Sequence, residues 1–237
     1  MNTSEPILAN EKIICRRCGL IEDYHTYEKD EHRVPHGEVF HPRCWKIILS
    51  GIRTIPRIYR KLRPIVPARG DQHKPFVVIL GDAGVGKSVT AAELLEHNAI
   101  ENGIVPAWLN VPKLLLTIRS TFDHKHGNGT EEQILDEVVR EPLLCLDDLA
   151  AEKVTDFSVS ELYLILNQRG ENGARTIITS NLSLDAIAQK LDDRIASRLE
   201  RYGTVIRLAK PNVQQQQIKP IGGESFHEME LRDRSCI

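Results

Sequence analysis

No run of apolar residues in this chain approaches the roughly 20 that a membrane-crossing helix needs. The opening residues, MNTSEPILANEK, hold no charged start followed by an apolar core, so no secretory leader is expected. Net charge is small: 31 Lys and Arg face 33 Asp and Glu, a formal −2. That excludes a polycation, so any nucleic-acid surface must be a local patch. Cysteine is sparse and uneven. Cys15, Cys18 and Cys44 cluster, whereas Cys145 and Cys236 stand alone. An odd count without regular spacing argues against a disulfide framework and for a reducing compartment, so a cytoplasmic protein is expected. Internal repeats are also lacking.

What is present suits a soluble globular chain. The 237 residues, 41% hydrophobic and 27% charged, are enough for one medium domain and a small one. Four parts are expected. Residues 1–45 hold the cysteine cluster. Residues 46–74 form a basic helical connector and linker. An α/β core runs over 75–210, and a polar tail, expected to be disordered, over 211–237. From Arg43 to Lys74 there are nine Lys or Arg against one acid, Asp71. Ile48, Ile52, Ile55, Tyr59 and Leu62 recur at steps of four and three, a helical period that Pro56 should kink or restart.

From Phe76 short apolar runs alternate with helical stretches. FVVIL (76–80), VPAWL (105–109), LLCL (143–146), RTIIT (175–179) and TVIRL (204–208) read as strands with helices between them. That order implies a parallel sheet flanked by helices.

Between the first strand and the first helix lies GDAGVGKS, which fits G-x-x-x-x-G-K-[ST] with Gly81, Gly86, Lys87 and Ser88. Glycines let a loop curl its N–H groups onto phosphate oxygens, and the helix N-terminus adds a favourable field. The nucleotide-binding stretch is Gly81, Asp82, Ala83, Gly84, Val85, Gly86, Lys87, Ser88 and Val89. Lys87 would meet the β and γ phosphates of ATP, and Ser88 would ligate Mg²⁺. Asp147 and Asp148 end an apolar strand sixty residues after Lys87. One carboxylate there can hold the Mg²⁺ shell and the other can orient or activate water. Asn181, after the next strand, could position that water; a turn role is the other meaning of an Asn there.

The stretch from LLCLDDLAAEK to DDRIASRLER, together with AWLNVPKLLLTIRSTF, resembles the AAA+ ATPases of the DnaC/DnaI helicase-loader and IstB transposition-helper family. The resemblance covers about 75 to 208 and implies a P-loop NTPase core of AAA+ type. It implies Walker A at 81–88, Walker B at Asp147 and Asp148, and sensor 1 at Asn181. It also implies an arginine finger in DRIASRL, placed at Arg198 with Arg194 second, which would act on a neighbouring subunit and so require a homo-oligomer on ATP binding. Two departures stand out. Asp148 stands where many AAA+ proteins carry Glu, and the chain after Leu208 is too short for a full helical lid.

CRRC at 15–18 and FHPRC at 40–44 make C-x2-C followed by H-x2-C. Cys15, Cys18, His41 and Cys44 are the expected ligands of a structural Zn²⁺, with His36 the rival to His41. A redox C-x-x-C is the alternative, although no thioredoxin-like unit surrounds it. A zinc domain ahead of such a core resembles the DnaI-type loaders, where it docks on the replicative helicase. The resemblance therefore implies loading of a hexameric replicative helicase onto single-stranded DNA, from a host or phage genome. A transposition helper and an ATP-switch adaptor with little turnover are the alternatives. Lys113, Arg119, Phe122, His124, Lys125 and His126 are candidates for DNA contact, or else a solvated helix and loop.

Overall fold

The computed structural model describes residues 12–14, 17, 21–23, 42–60, 74–121, 130–151 and 153–209. Two short strands, β1 (Lys12–Ile14) and β2 (Ile21–Asp23), pair antiparallel. Helices α1 (Pro42–Ile52) and α2 (Arg57–Arg60) follow. The main body then runs β3 (Phe76–Leu80), α3 (Lys87–Asn102), β4 (Pro106–Asn110), α4 (Val111–Ser120), α5 (Glu131–Arg140) and β5 (Leu143–Leu149). It finishes with α6 (Asp156–Glu171), β6 (Arg175–Ser180), α7 (Leu184–Lys190), α8 (Asp193–Tyr202) and β7 (Gly203–Arg207).

The five strands from β3 onward form one parallel sheet in the order β4-β5-β6-β3-β7. Successive side chains on a strand point to opposite faces, and both faces here are covered. Phe76, Val78 and Leu80 join Leu144, Leu146, Ile178 and the apolar sides of α4, α6 and α8. Ile79 joins Leu143, Cys145, Ile177 and the apolar side of α3. Because β6 lies between β3 and β5, the ends of all three meet at one edge.

The helical period after Arg43 is found as far as Tyr59, with Leu62 outside the described residues; the helix stops at Ile52, turns over 53–55 and restarts just after Pro56, whose missing N–H cannot continue it. The helix begins earlier than the spacing suggests, at Pro42, whose fixed φ suits a first helical position. Its apolar side is built into the body. Cys44, Trp45, Ile48, Ile52 and Ile55 are buried in one cluster with Ala91, Leu95, Ala99 and Trp108. Gly51 lies against β4: a Cβ there would come within 2.5 Å of the Pro106 carbonyl oxygen and 2.7 Å of a Val105 methyl. Thr54 Oγ1 accepts the Trp108 N–H at 3.0 Å, and the Tyr59 and Trp108 rings lie 5.6 Å apart. Gly51→Ala should therefore loosen α1 although alanine favours helix. A cost of about 1–2 kcal/mol is expected, read as a fall of about 2–8 °C in a thermal melt. An unchanged melt would show that α1 does not need this approach.

Among the described residues, the charged side chain with no exposed surface at all is that of Arg169. Arg169, fully buried on α6, donates from Nη1 to the carbonyls of Val138, Val139 and Glu141 at 2.7, 3.1 and 2.8 Å. Its Nη2 donates to the Arg175 carbonyl at 2.9 Å and its Nε to Thr176 Oγ1 at 2.9 Å. Three of these acceptors are carbonyls at the end of α5, which have no partner inside that helix. Burial pulls the guanidinium pKa down to about 10, partly opposed by nearby Glu141.

Candidate nucleotide site

The sequence after β3 turns sharply into α3 because Gly84 and Gly86 take φ of +79° and +94°, which side chains resist. Gly86 is the N-cap residue of α3, so Lys87 and Ser88 open the helix. The N–H of Gly81 donates to the Ser180 carbonyl at 3.3 Å, setting the start of the loop beside Asn181. Asn181 itself is exposed.

Lys87 is buried, 6% exposed, and its Nζ donates to the Asp82 carbonyl at 2.7 Å. Burial lowers its pKa, opposed by the fields of Asp148, Asp147 and Asp82. Asp147, 3% exposed, accepts on Oδ1 from Thr179 Oγ1 at 2.7 Å and from Ser88 Oγ at 2.9 Å. Burial raises its pKa; the two hydroxyl bonds and Lys87 oppose this, while Asp148 adds to it. An ammonium, a hydroxyl and a desolvated carboxylate thus converge at the mouth of the loop. Such a set can take a polyphosphate on Lys87 and the loop N–H groups, and a hard divalent cation between Ser88 and Asp147.

The strand expected over 143–146 continues through the acid pair to Leu149, with a register shift between Leu146 and Leu149. Asp148 takes φ of +63° and Ala150 +66°, values uncommon outside glycine. The turn is fastened from several sides. The Asp148 N–H donates to Thr179 Oγ1 at 3.0 Å, and Asn110 Nδ2 donates to Asp148 Oδ2 at 3.3 Å. Ser180 Oγ donates to the Leu149 carbonyl at 2.7 Å, and Lys190 Nζ to the Ala150 carbonyl.

The structure therefore brings Lys87, Ser88, Asp147 and Asp148 together and sets Asn181 beside them. It does not add the two arginines. Arg198 donates to Asn167 Oδ1 at 2.6 Å and to the Tyr163 hydroxyl at 3.1 Å, both on α6. Arg194 makes a two-pronged pair with Asp192 at 3.0 Å and lies over the Tyr163 ring. Of the expected zinc ligands, Cys44 lies buried in the first turn of α1, while Cys15, Cys18, His41 and the rival His36 fall outside the described residues. Among the described residues no three metal-donor side chains cluster. Lys113 and Arg119 are exposed on α4; Phe122, His124, Lys125 and His126 are outside the described residues, as is the tail from 210. No helix among the described residues is long and apolar enough to cross a membrane.

Sequence reasoning missed Thr179, Asn110 and Lys190. A polar Thr inside an apolar strand hints at a buried acceptor or donor. Asn110, ahead of Val-Pro, reads only as a helix cap, which it also is: its Oδ1 accepts the Lys113 N–H at 3.2 Å.

The fold and family can be compared with known proteins. No curated protein gives a significant sequence match. Among solved structures, the DnaC helicase loader superposes with a TM-score of 0.51 at 22% identity, over 71% of this chain and all of that one. Domain III of the Thermotoga maritima replication initiation protein DnaA gives 0.51 at 16% identity, over 73% of this chain and 65% of that one. DnaI gives 0.49 at 24% identity, over 68% of this chain and 84% of that one. The first two agree in fold with the parallel P-loop core expected from the motifs. The family model for IstB-like ATP binding protein matches residues 67–208, more than half the chain. The chain thus belongs to the IstB-like ATP-binding protein family.

Proposed function

We propose that the chain is an ATP-dependent loader that places a hexameric replicative helicase on single-stranded DNA, acting in the cytoplasm as a homo-oligomer assembled on ATP. The observation that carries this reading is Asn110. Its amide holds the Asp148 carboxylate and caps α4, the helix that exposes Lys113 and Arg119. DNA pulling on α4 is thereby felt at the carboxylate that would handle water, which an ATP-driven DNA machine needs and a passive adaptor does not. The DnaC helicase loader shares the fold over its whole length, which adds support.

In this reading the loop N–H groups and Lys87 take the phosphates. Ser88 and Asp147 hold Mg²⁺, which when bound neutralises charge on the phosphates. Asp148 accepts the proton of the attacking water, and Asn181 orients it. Arg198, or Arg194 in its place, is offered to the next subunit once it leaves its partners on this chain. Zinc suits the donor set of Cys15, Cys18, His41 and Cys44, three thiols and an imidazole in two close-spaced pairs of the sequence. The N-terminal part, 1–45, then docks on the helicase while 75–210 handles nucleotide.

A second reading, a transposition helper acting for a transposase, is favoured by the IstB-like family match. Helicase transfer to circular single-stranded DNA separates the two. Full-length protein should load a candidate helicase in the presence of ATP, and a Cys15→Ser variant should lose both its zinc and loading. If no replicative helicase binds while a transposase does, the helper reading replaces the loader.

A further inference from the structure

The outer side of α1 and α2 carries charge that the nucleotide site does not use. Residues 42–60 hold five basic side chains and no acid, in a chain where acids outnumber bases. The distribution is one-sided. Cys44, Trp45, Ile48, Gly51, Ile52 and Ile55 face the body and are buried. Arg43, Lys46, Arg53 and Arg57 are exposed, with Ser50 on the same side of α1. None of these four cations forms an ion pair with a described residue. Arg60 is set apart from them, since it lies near Glu96 on α3.

The segment bearing this charge, α1 with the turn after it and α2, is not a loose connector. Gly51 against Pro106, Thr54 on the Trp108 N–H and the buried row from Cys44 to Ile55 fix α1 to β4 and α3. A rigid basic surface is therefore carried on the same body as the phosphate loop. Cations held in fixed places along two helices and the turn between them, none of them paired with a described residue, suit a partner whose negative charges are also regularly spaced. A nucleic-acid backbone has that property.

From the one-sided charge and rigid attachment of α1, we infer that Arg43, Lys46, Arg53 and Arg57 form a phosphate-binding surface for single-stranded DNA. It is separate from the α4 candidates. The inference rests on the DNA-handling reading above and names where the strand runs. Contacts to phosphate are sequence-independent and release counterions, so the surface should show as salt sensitivity. Each cation contributes about 0.7 to the slope of log affinity against log salt for a single strand.

The experiment uses the full chain with Mg·ATP and an oligo-dT strand, titrated at several salt concentrations. The quadruple variant Arg43→Gln, Lys46→Gln, Arg53→Gln, Arg57→Gln should bind more weakly, with a slope shallower by about 2–3. Lys46→Gln alone should lose about 0.7, which keeps the test open if the quadruple variant folds poorly. ATP affinity should not change in either. An unchanged slope with intact DNA binding overturns the surface and leaves the loader reading standing. Loss of helicase capture with an unchanged DNA slope also overturns it, and assigns the face to a protein. A wild-type chain that binds no single-stranded DNA overturns both the surface and the DNA-handling reading.

Discussion

Arg169→Met is expected to unfold the protein at moderate temperature. Methionine fills similar space but offers no donor, so three carbonyls at the end of α5, one at the start of β6, and Thr176 Oγ1 lose this partner. Each buried acceptor left unpaired costs about 1–3 kcal/mol, and breaking a buried charged network costs about 3–5 kcal/mol. Folded domains have only about 5–15 kcal/mol in reserve. Arg169→Lys should rescue part of this, because an ammonium keeps the charge but cannot reach all five acceptors as a planar fork does. Urea titration followed by circular dichroism reads both variants. A methionine variant within about 1 kcal/mol of wild type would show that the network contributes little to the fold.

Lys87→Met should do the reverse: destroy nucleotide binding and leave the fold intact. Burial lowers the Lys87 pKa, so the ammonium is less favourable in the folded chain than in the unfolded one. The sign follows directly. A base with a depressed folded pKa weakens the fold at pH 7, and removing its charge takes nothing from stability. Methionine keeps the apolar stem but cannot meet a phosphate. Mg·ATP affinity should fall by about 100-fold or more, with turnover falling at least as far. The thermal midpoint should stay level or rise. Nucleotide titration with a fluorescent ATP analogue and a melt decide it. A lowered midpoint with unchanged ATP binding would make Lys87 a structural residue and remove the site assignment.

The parts of this architecture visible in the sequence are those written locally. The phosphate loop is eight consecutive residues, and the strands are short apolar runs, so both are readable at short range. The second half of the site is not. Thr179 meets Asp147 across 32 residues, Asn110 meets Asp148 across 38, and Lys190 meets Ala150 across 40. Each looks like an ordinary cap, strand or surface residue until the strand order is known. Arg169 shows the same limit more sharply. In NQRGE it reads as a polar helix residue near a C-terminus, and only the parallel packing of α5 beside α6 makes it central. The amphipathic period of α1 was visible, but a period does not say which surface it covers. The spacing that makes Cys44 a candidate zinc ligand was legible, and its burial on the body side of α1 was not.

The Thr54 bond to Trp108 has a bearing on solubility. β4 is the outermost strand at one side of the sheet, and its outward N–H and C=O groups are a template for pairing with another chain. In this protein α1 lies over that border, with Thr54 occupying one of the open N–H groups and Gly51 pressed on Pro106. A protein trimmed to begin at Phe76, where the sheet starts, would keep Lys87, Ser88, Asp147 and Asp148 of the candidate site and lose that cover. Trp108, only 7% exposed in the intact fold, would then face water along an open strand. Such a fragment would pass from solution into strand-paired aggregates, so the smallest soluble unit that carries the candidate nucleotide site starts at Pro42.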